Sequence, residues 1–276
     1  QMSLLQLIPT PPGEIASGRV LFDGRDLLSM GKHSSELCGI RGSEISMIFQ
    51  EPMTSLNPAM TIARQMAEVL TVHRRLSRAE ARQRCVEMLG KVGIPDPARR
   101  IDDYPHQLSG GMRQRVMVGM AMLCNPKMII ADEATTALDA TIQAQLLELM
   151  YGLVQEYRTA LILVTHNLGV VARYAHRINV MYAGRIVESG TAQEIWQETA
   201  HPYTKGLLKC VPRLGEALVP IKGAPPSLIG GTDLCPFRQR CPERAAICDD
   251  TPIRQPVPLG GRHSVGCLKA AGGRAS

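Results

Sequence analysis

Short apolar runs alternate with stretches of helical periodicity over the first two thirds of the chain. The runs at 128–131 and 160–164 are continuous and apolar, which is typical of strands covered on both faces in a parallel sheet. Between them, apolar residues recur at helical spacing from Ile142 to Leu153, behind Asp139, which can cap a helix. Strand, helix and strand in this order predict a right-handed crossover and an α/β core.

Two amphipathic helices are predicted within residues 61–94, because apolar positions there recur every three or four residues. Ser77 and Glu80 have the spacing of a capping box at the start of the second helix. Farther along, apolar segments at 178–183 and 186–189 flank a glycine, which predicts a final hairpin.

Composition changes near residue 201. Residues 202–276 hold ten of the nineteen prolines and ten of the twenty-five glycines, so we expect few regular elements there. The predicted organisation is an α/β core of residues 1–50 and 126–200, a helical subdomain of residues 51–125 and a C-terminal extension of residues 201–276.

The overall composition excludes several classes of protein. Of the 276 residues, 45% are hydrophobic and 20% charged, which excludes a disordered or collagen-like chain. The net charge of +6 suits phosphate ligands, but aromatic residues make up only 4%, so we expect no nucleic-acid partner. The longest apolar run, 116–124, is shorter than a membrane span, and the start at Gln1 lacks the basic region of a secretory signal.

Polar residues follow three of the predicted strands, at the point where each strand ends. Asp132 and Glu133 end one strand, where a carboxylate can hold Mg²⁺ through water and a second can orient a water that attacks a phosphate. His166 follows the next strand, where a neutral imidazole can hydrogen-bond a phosphate or its attacking water. Gln50 ends an earlier apolar run, and its amide could bind ATP and Mg²⁺ by touching both a metal-bound water and a phosphate. Exposed loop acids and a structural histidine are the alternative interpretation.

A serine and two glycines precede a long apolar helix. Ser109 can cap this helix, and Gly110 and Gly111 would let a phosphate approach the free N–H groups at its positive end. Taken alone, this turn could be only a helix start. Its position 23 residues before Asp132 favours an anion site.

Together, these motifs resemble the Q-loop, signature, Walker B motif, D-loop and switch histidine of an ABC-transporter nucleotide-binding subunit: Gln50, Leu108 to Met112, Asp132 with Glu133, Thr136 to Asp139, and His166. Three further segments are similar to the dipeptide and oligopeptide importer subfamily: residues 51–58, 181–184 and 201–204. The resemblance spans nearly the whole chain.

This resemblance implies a P-loop NTPase-type α/β fold with a helical subdomain and an irregular C-terminal appendage. It implies an ATP hydrolase that uses Mg²⁺ and drives peptide import from the cytoplasmic face of the inner membrane, as a peripheral subunit. The implied partners are a second ATP-binding subunit, expected to be a paralogue, two integral-membrane permease subunits and a periplasmic peptide-binding protein.

The resemblance also implies a role for each matching residue. Asp132 would serve Mg²⁺, Glu133 would be the general base and His166 would sense the γ-phosphate. Gln50 would report the nucleotide state to the membrane subunits, and Asp139 belongs to the D-loop. The residues that would close on the ATP of the partner are Ser109, Gly110, Gly111 and Met112.

One expected motif is absent from the sequence, which contains no Gly-x-x-x-x-Gly-Lys-Ser/Thr. The residues therefore resemble a family member that starts downstream of its phosphate loop, with a central strand missing. We expect this polypeptide alone not to hold ATP at its own site. The alternatives are a catalytically impaired, truncated remnant and a soluble ABC ATPase of translation or DNA repair.

Four of the eight cysteines cluster near the C-terminus, at Cys235, Cys241, Cys248 and Cys267. Their intervals of five, six and eighteen residues lack the pairs of common zinc sites, so spacing alone supports an unspecified soft-metal site. Free thiols and zinc remain alternatives. Some importer subunits that resemble this chain carry a [4Fe-4S] cluster on such cysteines, which implies one here.

Overall fold

The computed structural model describes residues 2–49, 55–134, 139–211, 219–229, 233–253 and 255–272. Contacts divide the chain into two compact units, one running to His166 and the other from Asn167 onward. Within the described residues, no helix is both long and apolar enough to cross a membrane.

A parallel sheet carries the functional residues of the first unit. Its strands are β3 (Ile45–Ile48), β4 (Met128–Asp132) and β5 (Ala160–Val164), in the order β3-β4-β5. The crossover from β4 to β5 includes helix α6 (Ala140–Glu156). As predicted, Asp139 caps α6, accepting hydrogen bonds from the backbone N–H groups of its second and third residues.

The apolar segment of β5 is not covered on both faces, so that part of the prediction was wrong. Ile162 is 37% exposed, and no residue of β5 is fully buried, whereas Ile129, Ile130 and Ala131 of β4 are buried. In the described part of the first unit, β5 pairs with β4 alone and forms an edge of the sheet. An apolar sequence shows that a strand can be buried on both faces. Whether it is buried depends on the position of the strand in the sheet.

Within residues 55–125, which the structure describes, lie the helices α2 (Ile62–Arg74), α3 (Arg78–Lys91), α4 (Pro97–Arg100) and α5 (Gly110–Met122). The predicted capping box at Ser77 and Glu80 is present at the start of α3. Apolar faces of α2, α3 and α5 share one core, in which residues such as Met66 and Leu89 are buried. Burying a side chain of this size stabilises the fold by about 1.5–3 kcal/mol relative to leaving it exposed to water.

The N-terminal residues form a second apolar cluster around Leu5, Leu27 and Leu37. This region consists of a 3₁₀ turn (Met2–Leu5), the short strands β1 (Leu21–Phe22) and β2 (Arg25–Asp26), and helix α1 (Ser35–Ile40).

The second unit is built on an antiparallel sheet in the order β6-β7-β9-β8. Its strands are β6 (Arg177–Tyr182), β7 (Arg185–Thr191), β8 (Val257–Gly260) and β9 (His263–Val265). The predicted hairpin is present, and both turn residues, Ala183 and Gly184, have positive φ, as the tight turn between twisted strands requires.

That hairpin is not the final one, so the prediction was incomplete. β8 and β9 form a second hairpin, and β9 pairs with β7. The short helices of this unit are α7 (Leu168–Tyr174), α8 (Ala192–Gln197), α9 (Pro202–Lys209) and α10 (Ile247–Asp250), with a 3₁₀ turn at Arg238–Arg240. An aromatic cluster of Tyr182, Tyr203 and Phe237 lies at its core.

Candidate functional site

The two acids lie at the carboxyl end of β4. Asp132 is the last residue of the strand and pairs with Val164 of β5. The Glu133 N–H donates to the Val164 carbonyl oxygen at 3.0 Å, so the backbone of Glu133 is still held by the neighbouring strand. Glu133 has a φ of 47°, a left-handed conformation that is uncommon for a residue other than glycine and clusters at functional sites.

His166 lies beside Glu133. The His166 Nδ1 and a Glu133 carboxylate oxygen are 3.2 Å apart, a distance at which one proton can be shared between them. The His166 side chain is 70% exposed and that of Glu133 27%, so both can reach a ligand on the outside of this edge. Parallel pairing of β4 and β5 accounts for this contact, because it brings both strand ends to one edge.

The predicted anion site lies at the N-terminus of α5. Ser109 is exposed and caps the helix, accepting a hydrogen bond from the Met112 N–H at 3.3 Å. A Cβ added at Gly110 would meet no atom within 4 Å, whereas one at Gly111 would lie 3.3 Å from the Ile142 side chain. Gly110 therefore leaves open space above the helix terminus, and Gly111 allows close packing against α6.

Gln114 is a site residue that sequence reasoning missed. It lies on α5 and is buried, and its side-chain amide donates a hydrogen bond to the carbonyl oxygen of Ala134, directly after Glu133. Helix α5 therefore contacts the loop that follows Asp132 and Glu133. The available signal was a glutamine in a helix with many apolar residues, since a buried amide needs a polar partner.

Two predicted motifs lie partly or wholly outside the described residues. Gln50 is one of these, as are positions 135–138, which hold most of the predicted D-loop. Asp139, at the end of that loop, is described. It is exposed and uses its carboxylate to cap α6.

In the second unit, the four clustered cysteines line one cavity with an empty volume of about 350 Å³, which includes the part open to solvent: Cys235, Cys241, Cys248 and Cys267. Burial raises the pKa of Cys235 and Cys241, and the neighbouring thiols raise it further. Among the described residues, however, no group of three or more His, Cys, Asp or Glu side chains is arranged to hold a metal ion. The thiols share a cavity without the geometry of a ligand set, so the predicted [4Fe-4S] cluster is not supported by this geometry.

A buried polar network beside this cavity was also missed. Glu188 is fully buried and accepts hydrogen bonds from the N–H groups of Ala200 and His201, at 2.7 and 3.2 Å. The His263 Nε2 lies 2.8 Å from the same carboxylate. His201 itself is 1% exposed and lines the cavity.

Comparison with known proteins first defines the class. A family model described as "ABC transporter" matches residues 3–136. The dimeric structure of MJ0796, a bacterial ABC transporter cassette, aligns with a TM-score of 0.56 and 30% identity over 64% of this chain and 74% of that one. The structure of MJ0796 in a post-hydrolysis state with ADP and Pi aligns with a TM-score of 0.57 and 28% identity, with the same coverage. The predicted fold class is confirmed.

Relatives narrow this class to one family. A second family model, "Oligopeptide/dipeptide transporter, C-terminal region", matches residues 187–248. The dipeptide transport ATP-binding protein DppD of Bacillus subtilis is 48% identical over 96% of this chain and 79% of its own length. The oligopeptide transport ATP-binding protein OppD of Escherichia coli is 49% identical over 85% and 70%, respectively. The chain belongs to the ATP-binding subunits of dipeptide and oligopeptide ABC transporters, as the motifs predicted.

Proposed function

We propose that this protein is the energy-coupling ATP-binding subunit of an importer for dipeptides or oligopeptides. The observation that carries this proposal is the meeting of Glu133 and His166 at one sheet edge, 3.2 Å apart, in a chain whose relatives are peptide-transport ATP-binding proteins. Membership in the ABC ATPase family implies ATP and Mg²⁺ as ligands.

The carboxyl ends of β4 and β5 carry Asp132, Glu133 and His166, and we call this edge of the sheet the acid edge. Its chemistry suits ATP hydrolysis. Asp132 would hold Mg²⁺, which neutralises developing charge on the phosphates. Glu133 would accept the proton of the attacking water, and His166 would donate a hydrogen bond to the γ-phosphate. The Glu133–His166 contact would keep the imidazole oriented toward that position, and the buried amide of Gln114 would hold the loop that follows the base.

The N-terminus of α5 would act on a nucleotide held by another subunit. Ser109 is exposed and Gly110 is open above, so a second chain can bring a phosphate to the free N–H groups there. Met112, on the first turn of α5, would lie against the same nucleotide. Asp139 would act as part of the D-loop. In this way the chain would complete the ATP site of a second ATP-binding subunit, expected to be a paralogue.

The remaining partners would be two integral-membrane permease subunits and a periplasmic peptide-binding protein. The subunit would then lie on the cytoplasmic face of the inner membrane, and Gln50 would report the nucleotide state to the permeases. The match of residues 187–248 to a transporter C-terminal region favours this assignment over a soluble ABC ATPase of translation or DNA repair.

Affinity purification of the tagged chain from detergent-solubilised membranes tests the assignment. We expect two integral-membrane subunits and a second ATP-binding subunit to co-purify, and peptide uptake to fail in cells that carry Glu133→Gln in every copy of the gene. Recovery of ribosomes or DNA in place of membrane subunits would contradict the assignment. Recovery of no partner would favour an impaired remnant.

We further propose that the four clustered cysteines hold a [4Fe-4S] cluster. Support comes from the chemistry of the donors, four thiols lining one cavity, and from an unpaired imidazole N–H on the same cavity wall. Binding of iron would have to draw the four thiolates closer together, because among the described residues these side chains are not arranged as ligands. Anaerobic purification followed by iron and sulfide analysis tests this proposal; a colourless protein without iron would contradict it.

A further inference from the structure

A second cavity lies within the first unit, where three helices end, and we call it the helix-end cavity. Its empty volume is about 590 Å³, which includes the part open to solvent. Cavities of several hundred Å³ are typical of small-molecule sites. One face of α3 lines it with residues spaced at i, i+3, i+4 and i+7, and residues that follow α5 and α6 complete it: Arg84, Glu87, Met88 and Lys91 from α3, Leu123 and Asn125 after α5, and Tyr157 after α6.

Part of the lining of the helix-end cavity is apolar. Met88 and Leu123 are buried, at 6% and 4% exposure, and the ring of Tyr157 is half-buried. The Lys91 Nζ lies 4.7 Å from the centroid of that ring, which holds the ring and the ammonium group together. The apolar atoms offer a place for an aliphatic side chain of a ligand.

The hydroxyl of Tyr157 is a donor with an unused proton. The Lys91 Nζ donates to the Tyr157 hydroxyl oxygen and to the Glu156 carboxylate, at 2.6 Å each. Because the hydroxyl oxygen accepts this bond, its own O–H is left to donate to another acceptor. The charge of Lys91 is matched by that of Glu156, so this pair adds no net charge to the cavity.

Two further charges in the cavity have opposite signs and do not neutralise each other. Arg84 makes no hydrogen bond or salt bridge with a described residue; its charge only adds to the effect of Ser77 in lowering the pKa of Glu80. The Glu87 carboxylate accepts one bond, from the Gln83 amide at 3.0 Å, and keeps further lone pairs free. Since Arg84 and Glu87 are three residues apart on one helix, their Cβ atoms lie about 5–6 Å from each other.

We propose that the helix-end cavity binds an α-amino carboxylate with an apolar side chain, as carried by leucine or by a short apolar peptide. Arg84 and the O–H of Tyr157 would bind the carboxylate, and Glu87 would bind the ammonium group. Met88 and Leu123 would contact the side chain. A simple anion would meet the like charge of Glu87, and a simple cation that of Arg84, so a ligand with both charges fits this lining best.

The helix-end cavity is remote from the residues proposed to act on ATP. Helices α5 and α6 begin behind Ser109 and Asp139 and end at the cavity. They have 13 and 17 residues, so they are about 20 and 25 Å long at 1.5 Å per residue. The inference therefore does not rest on the proposed function, and a binding measurement without nucleotide tests it separately.

Isothermal titration calorimetry of the full chain without nucleotide tests this inference, with leucine and leucyl-leucine as the two ligands. We expect a dissociation constant below about 1 mM for at least one of them, and the comparison of the two decides between a free amino acid and a peptide. Arg84→Gln should weaken binding about tenfold or more, and Tyr157→Phe about fivefold. Arg78→Gln is the matched control, because Arg78 is an exposed arginine of the same helix that does not line the cavity.

Ligands that lack one charge assign each contact. Arg84→Gln should no longer weaken binding when the ligand is leucinamide, which has no carboxylate, and Glu87→Gln should no longer weaken it for N-acetylleucine, which has no ammonium group. A variant that merely disturbed the fold would weaken all ligands alike. Absence of binding of both leucine and leucyl-leucine would overturn the inference. Binding that Arg84→Gln and Glu87→Gln leave unchanged would place the ligand elsewhere and overturn it as well.

Discussion

The acid edge of the first unit and the cysteine-lined cavity of the second hold their polar groups in opposite ways. At the acid edge, the His166 side chain is 70% exposed, and Ser109 is exposed at its helix terminus. At the cavity, His201 is 1% exposed and fixed by backbone hydrogen bonds. The polar groups of the acid edge are exposed, whereas His201 is buried within its own unit.

This difference in exposure indicates where the hydrogen-bond partners of each site would come from. An exposed helix terminus and an exposed imidazole leave their hydrogen-bonding capacity to water or to another molecule, so a second chain can complete the site at the cost of little desolvation. A buried donor is shielded from bulk water, so its acceptor has to be a group of the same fold or a molecule enclosed by it.

The largest expected effect falls on the cavity. Cys248→Ser replaces one thiolate of the proposed cluster by a poor ligand for iron, and we expect nearly complete loss of iron and of the absorbance near 400 nm. Iron analysis of the anaerobically purified chain measures this. Cys38→Ser is the control, because Cys38 is exposed and does not line the cavity. Equal loss in both variants would mean that the iron is bound non-specifically.

Next is the buried network that supports the cavity. Glu188→Leu leaves two backbone N–H groups and the His263 ring without their acceptor, which should lower the free energy of unfolding by about 3 kcal/mol. Urea titration of the full chain measures the change. Glu198→Leu, at an exposed position on the same unit, should change it little. If the two variants are equally stable, the network is not a source of rigidity.

At the open edge, Ser109→Arg should act on function rather than on the fold. The arginine side chain would occupy the space where a phosphate of the second subunit has to lie, so ATP turnover by the assembled complex should fall about 100-fold or more. Ser77→Arg is the matched control, since Ser77 caps α3 in the same manner. Each variant loses a cap worth about 1 kcal/mol, but only Ser109→Arg should stop turnover.

Gly110→Ala has the smallest expected effect on stability. An added Cβ meets no atom within 4 Å, and alanine favours a helix over glycine by up to about 1 kcal/mol, so the chain should become slightly more stable. ATP turnover of the complex should nevertheless fall, because the methyl group stands in the path of the phosphate. Thermal unfolding and a phosphate-release assay separate the two effects. A gain in stability with unchanged turnover would mean that no phosphate approaches Gly110.

The site could be predicted where chemistry is local in sequence. The ends of β4 and β5, the caps at Ser109 and Asp139, and the capping box at Ser77 all follow from a few adjacent residues, and the structure has them. Parallel pairing of two short apolar strands was enough to bring Glu133 and His166 to one edge.

What could not be predicted depends on distant partners. Gln114 meets Ala134 only because α5 packs beside the acid loop, and no local pattern specifies that contact. The exposure of Ile162 depends on the position of β5 in the sheet. The orphan Nε2 of His201 depends on which backbone N–H reaches Nδ1. The functional roles assigned to Gln50 and the other motif residues stay predictions.

The central claim is that Ser109 and its two glycines close on a nucleotide held by a second subunit. The most direct measurement is the mass of a mixture of this chain and a paralogous ATP-binding subunit that has a phosphate loop and a Glu→Gln change at its own base, determined by light scattering with and without Mg-ATP. We predict an ATP-dependent heterodimer with the wild-type chain and none with Ser109→Arg. A heterodimer that forms equally with Ser109→Arg, or that forms without ATP, would contradict the account.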